Sequence, residues 1–159
     1  MSVPHDLEQR IRALEDLERI KRRMRAYVNA LVFVRWDEVL DCFTDDATVE
    51  IGISGAHAGR AAIARLFKAD IGTRHVGKEM IFLAHPVIDV AGDRATGTWL
   101  LYHMFTEASH IQTHAWVQGV YDCEYVRTGD DWKIDKLTWK QRLGPRSAKL
   151  AQQYGVVDE

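Results

Sequence analysis

The sequence predicts an α+β domain: a curved antiparallel sheet packed against three helices from the N-terminal half, forming a cone-shaped pocket. Three observations carry that prediction. Apolar residues recur every three or four positions up to about residue 70 and every second position beyond it. The short turns Ala91-Gly92-Asp93 and Thr128-Gly129-Asp130-Asp131 divide the second half into consecutive strands. A chain of 159 residues, 47% hydrophobic and 28% charged, has the size and apolar content of one folded domain. The expected division is a single domain over 1–143 and a polar C-terminal extension over 144–159.

Leu7, Ile11, Leu14, Leu17, Ile20, Met24, Tyr27 and Leu31 fall on one stripe of a long amphipathic helix, with Glu and Arg on its other faces. Trp36, Val39, Leu40 and Phe43 repeat the helical spacing over a shorter span. Thr44-Asp45-Asp46 then suits the end of one element and the start of another. Ala47 to Ile53 is rich in Val, Ile and Thr and reads as a strand. Ile63, Leu66 and Phe67 mark a third helix, closed by Ile71-Gly72. Four strands follow: Lys78 to Val90, Arg94 to Glu107, Thr113 to Arg127 and Trp132 to Arg142. Pro86, which has no N–H to give a sheet ladder, is expected at a bulge or an edge of the first.

The formal charge of −2 supplies no basic field for a polyanion, so no nucleic-acid partner is expected. Residues 1–30 contain no apolar signal core, and no apolar run reaches membrane-spanning length, which implies a cytoplasmic protein without a membrane partner. Cys42 and Cys123 fit neither a disulfide scaffold nor a paired zinc motif; both read as buried thiols. Glu107, His110 and His114 straddle a loop and a strand, so their spacing does not gather metal ligands on a helical face. The segment Gly55 to Arg60 lacks the ending of a phosphate loop, and no GxGxxG opens a βαβ unit. Neither a cofactor nor a metal is expected.

The element order, with Arg25-Ala26-Tyr27, Arg35-Trp36-Asp37-Glu38, Phe43 to Ala47, Pro86 to Ala95 and Gly129 to Ile134 at their spacing, resembles the nuclear transport factor 2-like superfamily. The likeness is to its SnoaL-like branch, which includes scytalone dehydratase and bile-acid-dehydratase-like enzymes, and covers roughly Leu7 to Leu143. It implies a cofactor-independent lyase or isomerase acting on a hydrophobic, aromatic or polycyclic hydroxylated molecule, in a homo-oligomer with a trimer favoured over a dimer. Tyr27 is similar to a helical Tyr of the dehydratase-like members, and His103 lies near one of their acidic catalytic positions. The chain departs from the pattern at Val32 and Ile81, where many such lyases carry an Asp and a His.

Read from the residues, His103 shares a strand face with Trp99, Leu101 and Phe105, placing an imidazole in an apolar wall where it can carry protons. Tyr27 can hydrogen-bond or protonate a developing oxygen charge. His85 or His75 would restore a second imidazole if a bulge or loop shifts the register; His85 is preferred because it lies within an apolar strand. The expected catalytic set is therefore Tyr27, His103 and His85, with Trp36, Trp99, His114, Trp116 and Tyr121 lining the substrate. Water elimination is the first expectation. Retro-aldol cleavage of an aryl diol and double-bond isomerisation use similar proton transfers. A noncatalytic ligand-binding protein, favoured by Val32 and Ile81, and an interaction module with a filled core are the alternatives.

Overall fold

The computed structural model describes residues 3–52, 55–73, 75, 77, 79–107 and 112–143. The expected extension over 144–159 and His110 lie outside the described residues. Helix α1 spans Val3–Val32, and the C-terminal part of its stripe, Ile20, Met24, Tyr27 and Leu31, is buried. Leu7, Ile11 and Leu14, on the same stripe, are exposed. The helix therefore runs past the sheet it packs on, and its periodicity continues beyond the part that the core covers. Helix α2 is Trp36–Asp41. Helix α3, Arg60–Arg65, continues as a wider π-turn over Leu66–Ile71 that keeps Leu66 and Phe67 in the core.

Six strands form one sheet in the order β2-β1-β6-β5-β4-β3. They are β1 Phe43–Ile51, β2 Ala56–Ala58, β3 Met80–Ala91, β4 Arg94–Glu107, β5 Gln112–Thr128 and β6 Asp131–Leu143. The sheet is curved and unclosed. It departs from the expected all-antiparallel meander in one place, where β1 pairs with β6 in parallel. Thr44-Asp45-Asp46, read as a turn, lies inside β1. There Ile134 N–H donates to the Cys42 carbonyl at 2.9 Å and the Thr44 hydroxyl donates to Asp135 at 2.7 Å. Partners far along the chain override the local turn preference of these residues.

An ionic anchor ties α1 to the β5–β6 end of the sheet. The Arg127 guanidinium donates to both Asp16 carboxylate oxygens, at 2.8 and 2.7 Å, and the Trp132 indole N–H donates to the same carboxylate at 3.0 Å. The hydrogen bond from Arg127 holds the Asp16 carboxyl below the usual range. Register shifts between Ala84 and Val87, Gln118 and Gly119, and Glu124 and Tyr125 bend the strands towards the helices. A Cβ at Gly119 would stand 2.5 Å from the Lys140 carbonyl oxygen and 2.9 Å from the Trp139 indole nitrogen. Glycine is what lets β6 cross so closely there.

Candidate active site

On β4 and β5 the register pairs Trp99 with Tyr121, Leu101 with Gly119 and His103 with Val117. These residues are buried and face the helices. On β6, Trp139 lies opposite Tyr121 and Gln141 opposite Gly119. On β3, Ile81 lies opposite His103. The interior face thus carries His103 in one row, Gln141 in the next and Tyr121 in the third.

Tyr27 reaches this face from α1. Its ring meets Phe43, Phe67 and Tyr121 edge-on, at centroid distances of 5.5, 6.1 and 6.0 Å. Its hydroxyl lies 3.5 Å from that of Tyr121. Burial raises the affinity of both phenols for their protons, so each remains a neutral donor or acceptor. Tyr121 lies four positions along β5 from Val117, the residue opposite His103, an offset of about 13 Å along the strand. The phenols and the imidazole are two separate stations of one interior.

The imidazole station is built from three segments. His103 is 6% exposed and stacks on Phe105 at 4.0 Å. Its Nε2 is buried without a hydrogen-bond partner. Burial, helped by repulsion from His75, lowers its pKa to about 3, so the ring is neutral across the physiological range. The His75 ring lies 5.3 Å from that of His103, and the ring of Trp36 of α2 lies 6.2 Å from it. Glu79, buried just before β3, places Oε2 3.9 Å from His75 Nδ1. Val34, in the link between α1 and α2, has φ 54°, and a Cβ on Gly77, whose φ is 74°, would come within 2.9 Å of Val34 Cγ2, so a glycine is needed at this close approach. Trp36 also stacks on Phe67 at 6.5 Å and borders a surface hollow of 430 Å³ lined by Arg35, Asp37 and Lys68 among others.

Two expected site residues are corrected. His85 has φ 49° at the bulge between Ala84 and Val87, and its side chain is exposed. The irregularity beside Pro86 turns it away from the interior, and His75 takes the place beside His103. Trp116 pairs with Met104 on the opposite face from His103 and is 45% exposed, with Tyr102 as its aromatic neighbour at 6.5 Å. It lines the outer surface of the sheet. Trp99 does face inward, but its indole N–H donates to the Tyr125 hydroxyl at 2.9 Å, an internal core bond. The side chain of His114 lies outside the described residues, as do those of Glu107 and His110.

Gln141 was not anticipated. Its Oε1 is buried without a hydrogen-bond partner on the row between His103 and Tyr121. The sequence signal was a polar residue in phase with the apolar Leu137 and Trp139 of β6. Glu79 shows the same signal, being in phase with Ile81. Buried polar atoms of this kind are uncommon and mark places where a guest can bond. Among the described residues, no group of three or more His, Cys, Asp or Glu is placed to hold a metal ion. No helix of the described chain is long and apolar enough to cross a membrane. Burial raises the thiol pKa of Cys42 and pushes that of Cys123 up to about 12, which suits packing rather than nucleophilic chemistry.

A helix-backed curved sheet of this order defines a SnoaL-like α+β domain, and residues 12–138 match that family. The chain belongs to the SnoaL-like domain family. No curated protein matches it. Similar solved structures include a nuclear transport factor 2-like protein with a cystatin-like fold from Novosphingobium aromaticivorans, 21% identical over 97% of this chain and 99% of that one, with a TM-score of 0.76. A hexachlorocyclohexane dehydrochlorinase from Novosphingobium barchaimii is 16% identical over 87% and 94%, with a TM-score of 0.75. A scytalone-dehydratase-like protein from Novosphingobium aromaticivorans is 19% identical over 93% and 97%, with a TM-score of 0.74. At these identities the likeness is one of fold.

Proposed function

We propose that the protein is a cofactor-independent lyase of the dehydratase type, removing water by proton transfer from a hydrophobic, aromatic or polycyclic hydroxylated molecule. The observation that carries this reading is His103: a neutral imidazole, deeply buried against aromatic rings, with one ring nitrogen left unbonded in the interior. A buried polar atom without a partner costs stability, and a neutral ring nitrogen is the form that accepts a proton from carbon. Tyr27 and Tyr121, held protonated by burial, can donate to oxygen on which charge builds. A guest touching both stations must be elongated, which favours a polycyclic or biaryl skeleton over a single small ring. Two neighbours named for eliminations support the reaction class.

Val32 and Ile81, apolar where many lyases of this fold carry their acid and base, favour a noncatalytic ligand carrier as the second reading. One experiment separates the readings. The protein is incubated with aryl diols and steroid-like alcohols, and the mixtures are followed by mass spectrometry. Loss of water supports the dehydratase, release of an aldehyde supports carbon–carbon cleavage, and rearrangement at unchanged mass supports an isomerase. Binding without conversion of any member supports the carrier. The reading extends to a homo-oligomer, preferably a trimer, covering the exposed Leu7, Ile11 and Leu14 of α1 or the exposed Phe82, Tyr102 and Trp116 of the sheet.

A further inference from the structure

We propose that His75, held against Glu79, is the proton donor that works with His103, and that Glu79 is its positioning residue. The inference rests on the lyase reading above and names its second proton carrier. Among the groups that face His75 are Glu79 at the entry to β3, Trp36 from α2 and His103 from β4. A carboxylate within ion-pair distance favours the protonated imidazole, whereas the aromatic wall around His103 favours the neutral one. Two like groups in environments that push them apart divide the work of acid and base.

The step balances. His103 Nε2 takes a proton from the substrate carbon, and the C–H electron pair becomes the new double bond. The adjacent C–O bond breaks with its pair going to oxygen, His75 gives that oxygen its proton, and water leaves. The imidazoles end with exchanged protonation states, and one proton passed from His103 back to His75, whose ring centres lie 5.3 Å apart, restores them.

The test follows the side-chain nitrogen signals of the full chain, labelled with ¹⁵N-histidine, as pH is varied. His75 is expected to titrate above the ordinary imidazole value of about 6.5, and Glu79→Gln is expected to lower its midpoint by about one pH unit or more. A His75 midpoint below about 6.5 in the unsubstituted protein overturns the inference, even if Glu79→Gln does not fold. An unmoved midpoint in folded Glu79→Gln removes the positioning role. With a substrate from the screen above, His75→Gln is expected to lose about 10²-fold in kcat with little change in KM. Wild-type kcat in folded His75→Gln, on a substrate that His103→Gln cannot convert, overturns the donor and leaves the lyase standing. If His75 titrates as expected but the wild-type protein converts nothing, the lyase reading fails and the donor role falls with it.

Discussion

The phenol and imidazole stations of the interior are equally buried but differ in how their polar atoms are satisfied. Tyr27 and Tyr121 face each other hydroxyl to hydroxyl, packed among Phe43 and Phe67, and the Trp99 indole nearby is bonded to Tyr125. At the other station His103 Nε2 and, one row away, Gln141 Oε1 have no hydrogen-bond partner. Burial by itself therefore says little about function in this molecule. What distinguishes the two ends is that the phenol hydroxyls face each other, whereas one ring nitrogen of His103 is left for a guest.

The sharpest break in this comparison is His103→Gln. It is expected to reduce kcat on any converted substrate by about 10² to 10⁴-fold while leaving a folded protein with an ordinary melting transition. A collapse of folding with no separable kinetic loss would move His103 into the structural class. Tyr27→Ala should do the reverse, losing about 3–5 kcal/mol of stability in urea titrations because a large ring leaves a fully packed site. Acid should expose the imidazole end next. The folded pKa of His103 lies near 3 and the unfolded value near 6.5, so the unfolded chain takes up a proton that the folded one refuses. Stability is then full above pH 6.5 and falls as pH drops from there towards 3, by up to about 1.4 kcal/mol per pH unit. Comparing urea midpoints of the wild type and His103→Leu over that window checks the sign, since the variant should lack this part of the slope. Tyr121→Phe should cost about 1 kcal/mol, as one hydroxyl of a facing pair is removed. The smallest effect is expected from His85→Ala, within about 0.5 kcal/mol and without kinetic consequence, as befits an exposed residue on a bulge.

The helical elements and the four long strands were legible because their apolar periods are set by the burial of one face, a local property of the chain. The inward phase of Trp99, Leu101, His103 and Phe105 followed from the same rule. Long-range pairing was less legible. Ala56–Ala58 is too short to announce a strand, and it exists because β1 offers it an antiparallel edge. The hardest distinction lay between His75 and His85. An apolar setting argued for His85, but a bulge beside proline reverses a side chain without changing composition. His75 meets His103 from β4 and Trp36 from α2, contacts between residues far apart in the chain that no local pattern announces. Trp116 turned outward for a simpler reason, a phase opposite to Val117 that no single strand can declare before its partners are known.

The strand order has a consequence for how the molecule is made. β6, the last strand among the described residues, lies in the middle of the sheet, between β1 and β5. Until it emerges, the β1–β2 ribbon and the β3–β5 meander have open borders facing each other with nothing to join them. Their union is a late event in biogenesis, and a nascent chain stalled before Asp131 would present two unsatisfied sheet edges to the chaperones around it.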